Sequence, residues 1–154
     1  MVTLIAPRTK IEMTEREKLV ELVNKLFIYT DNRQWDLLQS EVFSDRVFLD
    51  MTSMGGQASE LTSKDICDMW SEGFKELDAV NHLGGNYLIQ MLSDTESSVF
   101  AYATATHFKA SATKGKTREF VGTYDLKMKR IEGSWRICSF IYHLKYAAGN
   151  LDLA

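Results

Sequence analysis

Asp31 and His82 are the residues whose types and settings could do chemistry. Asp31 lies in Tyr29-Thr30-Asp31-Asn32-Arg33-Gln34-Trp35-Asp36, just after an amphipathic helical pattern, and His82 lies in Asn81-His82-Leu83-Gly84-Gly85, at the mouth of a strand pattern. A carboxylate that orients an imidazole is a minimal device for moving a proton. It fixes the tautomer, favours the imidazolium, and leaves the second ring nitrogen free to take a proton from a carbon next to a carbonyl. The resulting enolate needs a donor at its oxygen, because stabilising developing charge is usually the largest catalytic term. Tyr124 is the first candidate, since it shares a strand face with Phe120, Leu126 and Met128; Tyr102 and Tyr87 stand in reserve. The same His82 could return its proton to a departing hydroxyl (dehydration) or to another carbon (isomerisation), or the enolate could attack a second carbonyl (cyclisation).

The other candidates each have two readings. Asp50 is a general base or a strand-end charge. His107 enters a pocket or is a hydrogen-bonded structural histidine. Trp70 is core or a substrate platform. His143, on the Ile137, Ser139, Ile141 side of its strand, reads as structural. Cys67 and Cys138 fall in apolar surroundings and read as small buried thiols. With three histidines and no CxxC or His-rich spacing, neither a metal nor an organic cofactor is expected.

The elements that must position these groups follow from periodicity. Residues 1–13 read as a flexible leader, broken by Pro7. Thr14-Glu15-Arg16-Glu17 fits a capping box, and Leu19, Leu22, Val23, Leu26, Phe27 and Thr30 follow at helical spacing. Asp31 then falls on or near the inward face, where an unpartnered charge would be costly. Asp31-Asn32-Arg33 reads as a break before a short second helix carrying Trp35, Leu38 and Val42. Arg46 to Met51 reads as a brief strand, with Val47 and Leu49 on one side and Phe48 and Asp50 on the other. Met54 to Gln57 reads as a loop, and Ser63 as the cap of a third helix with Ile66, Cys67, Met69, Trp70, Phe74 and Leu77 in phase.

Beyond this point the period is two. Gly85 to Leu92, Ser98 to Ala110, Thr117 to Ile131 and Trp135 to Tyr146 read as strands joined by hairpin-length turns, hence antiparallel. Ala101, Ala103 and Ala105 share one face; they leave room for a ligand or for a close helix. The fold class expected is α+β: a cone-shaped barrel in which a curved antiparallel sheet wraps around N-terminal helices. One domain over residues 14–148, with a tail over 149–154, suits a chain of 154 residues. A net charge of −3 with scattered Lys and Arg gives no footprint for nucleic acid. No apolar run approaches the ~20 residues that cross a bilayer. A cytoplasmic setting is expected.

The Asp31 segment with Trp35-Asp36 after it, the Asn81-His82-Leu83-Gly84-Gly85 segment, and the Ile131-Glu132-Gly133-Ser134-Trp135-Arg136-Ile137 turn together resemble the SnoaL-like branch of the nuclear transport factor two-like superfamily, from about Thr14 to Tyr146. The His82 segment is similar to that of the scytalone dehydratases. The resemblance implies a conical fold with a deep apolar pocket, assembled as a homodimer or homotrimer. It also implies an Asp–His pair that removes a proton next to a carbonyl, with Asp31 and His82 at the matching positions. The expected function is that of a cofactor-independent lyase or isomerase acting on a small hydrophobic carbonyl-containing metabolite; the alternative is a non-catalytic binding or assembly module of the same fold. The pattern departs from the scytalone dehydratases elsewhere. Thr30 and Asp50 stand where they carry tyrosines, their second histidine falls near Lys109 with His107 two residues earlier on the same face, and their pocket asparagine falls near Tyr124. The groups that grip substrate therefore differ.

Overall fold

The computed structural model describes residues 11–154; of the leader expected over residues 1–13, residues 1–10 lie outside the described part. Helix α1 (Glu15–Asp31) begins as the capping box requires: the Thr14 hydroxyl accepts the Glu17 N–H, and the Glu17 carboxylate accepts the Thr14 N–H at 2.7 Å. Its apolar stripe, Leu19, Leu22, Val23, Leu26 and Phe27, is buried. Each such side chain contributes roughly 1.5–3 kcal/mol by leaving water, so tertiary burial rather than helix propensity holds α1 on the sheet. The helix stops at Asn32, and Arg33 adopts a left-handed backbone, φ 56°. A short α2 (Trp35–Leu37) runs into a π-helical turn (Leu38–Val42), which leads to β1 (Phe43–Asp50). After a 3₁₀ turn (Thr52–Met54) come β2 (Ala58–Thr62) and α3 (Ser63–Phe74). Thr62, one residue before the expected Ser63, is the cap, its hydroxyl accepting the Asp65 N–H. Strands β3 (Ala79–Met91), β4 (Glu96–Phe108), β5 (Thr117–Ile131) and β6 (Ser134–Gly149) complete the chain.

The six strands form one sheet in the order β2-β1-β6-β5-β4-β3. The meander β3 to β6 is antiparallel, as the hairpin turns dictate. Two features differ from the expected antiparallel barrel. Strand β1 lies parallel to β6, so the sheet is mixed, and among the described residues β2 and β3 are its edges, so it is open. No turn links β1 to β6; their relative direction is set by where the helices deliver the chain, which alternation cannot report. Strand β2 itself was not expected: Ala-Ser-Glu-Leu-Thr is a short edge segment with only one large apolar residue.

Three bulges in the β3–β6 meander set which of its residues face inward. On β6 the extra residues are Cys138 and Lys145, opposite register jumps at Lys127/Met128 and Val121/Gly122. The first reverses the parity of β6: Ile137, Phe140 and Tyr142 are buried, whereas His143 points to the outer face and hydrogen-bonds Asp125 there at 2.9 Å. His143 therefore does not share the face of Ile137, as strict alternation would have it. Cys138, as a bulge residue, is half-buried, unlike the buried Cys67. The third bulge, between Gly85 and Leu88 on β3, includes Asn86 at φ 56°; it lets the strand bend around α1. The tail is docked: β6 runs to Gly149, and Leu153 is buried against Leu77, Val80 and Ala112. Among the described residues no helix is long and apolar enough to cross a membrane.

Candidate active site

One stripe of α1 meets β3 at three levels. The Tyr87 hydroxyl donates to Asn24 Oδ1 at 2.5 Å, Gly84 lies under the Phe27 ring, and His82 meets Asp31. Asn24, Phe27 and Asp31 are three and four residues apart, the spacing of one helix face. Gly84 is what allows the approach: a Cβ there would stand 2.5 Å from Phe27 Cε2. Phe27 in turn stacks on the His82 ring, centroids 5.4 Å apart and planes within 7°.

Asp31 uses both carboxylate oxygens on one residue. Oδ2 accepts the main-chain N–H of His82 at 2.9 Å, and Oδ1 meets ring Nδ1 at 2.6 Å. A carboxylate only accepts, so the network assigns a ring hydrogen to Nδ1, which in the neutral imidazole leaves Nε2 as the acceptor. Both side chains are shielded, with 11% of His82 and 16% of Asp31 exposed. The His82 ring lines a cavity of about 390 Å³ whose walls are mainly apolar, among them Leu26, Phe74, Phe120 and Phe140. Such a volume suits a small ring compound. Ala105 lines it as well, while Ala101 and Ala103 pack into the core, so the alanine face serves both purposes left open by its sequence.

His107 and Tyr124 also line the cavity. Across the β3–β4 ladder Val80 pairs with His107 and His82 with Ala105, so the two histidines are diagonal neighbours, about 7–8 Å apart. Arg118 donates Nε–H to His107 Nδ1 at 3.1 Å. Burial, reinforced by the charges of Arg118 and His82, lowers the His107 pKa to about 4. Tyr124 is buried, edge-on to Phe27, and its hydroxyl has no protein partner among the described residues. Burial first, then Tyr142 and Asp31, push its pKa far up, so it stays a phenol and can only donate or accept a hydrogen bond. Trp70 lines the cavity and also packs on Phe43 and Phe140.

Two sequence candidates stand elsewhere. Asp50 alternates with the buried Leu49 and turns away from the cavity, where its carboxylate accepts the main-chain N–H and the hydroxyl of Thr52 at 2.9 and 2.7 Å. Those bonds lower its pKa, which makes it a strand-end charge and no poised base. Tyr102 alternates with Ala101 and Ala103 and faces outward, under the Lys145 ammonium at 4.4 Å. Arg118 and Tyr142 line the cavity and were not singled out. Arg118 was legible, since it lies in phase with Phe120, Tyr124 and Leu126. Tyr142 was hidden by the bulge at Cys138. Burial raises the Cys67 thiol to about 11, away from thiolate chemistry.

The model of the SnoaL-like domain matches residues 12–141. The chain belongs to this family. No curated protein sequence matches this SnoaL-like chain. Among solved structures it is similar to the Kfla4162 protein of Kribbella flavida, with a TM-score of 0.84 at 21% identity, covering 90% of this chain and 95% of that one. A Novosphingobium aromaticivorans protein that carries the name scytalone dehydratase superposes with a TM-score of 0.74 at 13% identity, covering 88% and 87%. A hexachlorocyclohexane dehydrochlorinase, LinA-type3 of Novosphingobium barchaimii, does so with 0.70 at 15% identity, covering 86% and 88%. These likenesses fix the nuclear transport factor two-like fold of the SnoaL-like chain. What the chain does must be argued from its own side chains.

Proposed function

We propose that this SnoaL-like protein is a cofactor-independent lyase or isomerase that abstracts a proton next to a carbonyl of a small hydrophobic metabolite. The observation that carries the reading is the double hold of Asp31 on His82 beside an apolar cavity. In this role His82 Nε2 takes the proton, and Asp31 stabilises the positive charge the ring acquires. The electron pair left on carbon moves onto the carbonyl oxygen. The phenol of Tyr124 and the ring N–H of His107 are the donors available to that oxygen. Return of the proton from His82 to a leaving hydroxyl completes a dehydration; return to another carbon completes an isomerisation. The names of two structural neighbours, a dehydratase and a dehydrochlorinase, each describe loss of a proton together with a leaving group. They support elimination over cyclisation, with the leaving group open.

The test exploits the step common to all three outcomes. A panel of cyclic ketones and β-hydroxy ketones is incubated with the protein in deuterated water, and exchange of the proton next to the carbonyl is followed by NMR. Wild type is expected to accelerate exchange for at least one member, and His82→Gln to lose at least about 100-fold of that rate. Equal rates in the two proteins sink the proposal. Ketones that raise the melting temperature of wild type without any exchange would point instead to a binding module.

A further inference from the structure

We infer that Arg118 is a positioning residue: its Nε–H on His107 Nδ1 commits His107 to the Nε2–H tautomer and so makes the second imidazole of the cavity a fixed hydrogen-bond donor for an acceptor oxygen of the ligand. A neutral imidazole has one donor and one acceptor. The guanidinium can only donate, so the contact at 3.1 Å occupies the acceptor and sends the hydrogen to the other nitrogen. Nε2 has no protein partner among the described residues, yet it is not sealed among buried atoms left without one. It is therefore open to the cavity that the ring lines.

The guanidinium is itself anchored. Its Nη1 donates to the Leu151 carbonyl at 2.8 Å, and the same turn is pinned by the buried Leu153 and by the Asn150 N–H on the Thr117 carbonyl at 3.0 Å. The His107 ring is confined between Phe74 and Phe120, with centroids 5.4 and 5.3 Å away. A ring flip would break the arginine contact and turn carbon toward it. The depressed pKa of His107 agrees with a ring that must stay neutral to accept from a cation.

The two imidazoles thus carry opposite tautomers. His82 has its hydrogen on Nδ1 and offers an acceptor; His107 has its hydrogen on Nε2 and offers a donor. The ligand class follows: an apolar ring with an acceptor oxygen near His107 and an acidic C–H near His82. The oxygen's part in a reaction rests on the lyase or isomerase reading; the tautomer does not.

Long-range proton–nitrogen NMR of the ring nitrogens is the test, on wild type, Arg118→Met and Arg118→Lys. Wild-type His107 should show the Nε2–H pattern alone at neutral pH. In Arg118→Met a mixture with Nδ1–H should appear, and the His107 titration should move up toward ordinary histidine, while the His82 pattern is unchanged. Arg118→Lys keeps the cation without the flat Nε–H and should also give a mixture; it decides the matter if the Met variant fails to fold. An unaltered Nε2–H pattern in whichever variants fold overturns the inference. A tautomer shift accompanied by no ketone exchange in wild type would keep the role of Arg118 and discard the lyase or isomerase reading.

Discussion

Folding this chain forces His107 into a state that an unfolded chain would not choose, and acid should expose the conflict. In the folded protein its pKa is about 4, against an ordinary value of 6.5, with burial the main cause. Between those values the unfolded chain binds a proton here that the folded chain refuses. Stability is then fully present above pH 6.5 and is lost as pH falls toward 4. The gap converts to about 3 kcal/mol, of which about 2 kcal/mol is gone by pH 5. For a domain of this size that corresponds to a drop in melting temperature on the order of 5–10 °C. Carboxylates contribute acid sensitivity of their own: Glu41 is held low by Tyr29 and Lys25, and Glu15 is lowered to about 2 by Lys18, Trp135 and Arg130. The assay must therefore be differential. Urea unfolding of wild type and His107→Gln, measured from pH 8 to pH 4.5, should give curves that converge as pH falls, because only wild type loses the histidine contribution. Curves that stay parallel across that range would show that His107 titrates normally, and with it the claim that its neutral form is locked would fail.

Two substitutions, with a third as control, probe how the Asp31–His82 pair is held. Asp31→Asn preserves shape but leaves one acceptor where two donors of His82 converge, so one buried N–H loses its partner. The expected cost is about 1–3 kcal/mol in urea unfolding, with a fall in ketone proton exchange of roughly 10²–10⁴-fold; exchange at the wild-type rate would refute the orienting role. Gly84→Ala puts a methyl 2.5 Å from Phe27 Cε2 and 3.0 Å from its Cδ2, whereas Gly85→Ala meets nothing within 4 Å. The first should destabilise by about 1–3 kcal/mol and slow exchange by displacing Phe27 from His82. The second should leave the exchange rate alone, and similar rates in the two variants would refute the packing argument.

What the sequence made legible was set by local physics. The capping box at Thr14 and the apolar spacing of Leu19 to Thr30 predict α1 because both signals are contained within one helix. Alternation predicts β4 and β5 for the same reason, and with them the inward placement of Tyr124 and His107. Alternation also carried the two corrections, since Asp50 sits opposite Leu49 and Tyr102 opposite Ala101 and Ala103. The strand-end reading of Asp50 followed that signal, whereas its general-base reading and the reserve role of Tyr102 set it aside. The parallel pairing of β1 with β6 and the bulge at Cys138 had no such signal. Both depend on contacts between segments nearly a hundred residues apart or on one extra residue in a ladder, and neither changes local hydropathy.

The polarity of the cavity is imposed by the charged partners of its two imidazoles. Each imidazole lines the hollow and ties its Nδ1 to a charged group: a carboxylate for His82, and for His107 the guanidinium of Arg118, itself part of the lining. Opposite charges bound to two identical side chains force opposite tautomers, so a mainly apolar lining still has a hydrogen-bond-accepting and a hydrogen-bond-donating pole. The carboxylate arrives on the last residue of α1, and the guanidinium is steadied by the turn that follows β6. The two segments that set the poles therefore come from opposite ends of the described chain, and neither pole exists until the sheet between them has formed. Loss of His107's tautomer and loss of His82's partner should therefore be separable by substitution, Arg118→Met removing the first and Asp31→Asn the second.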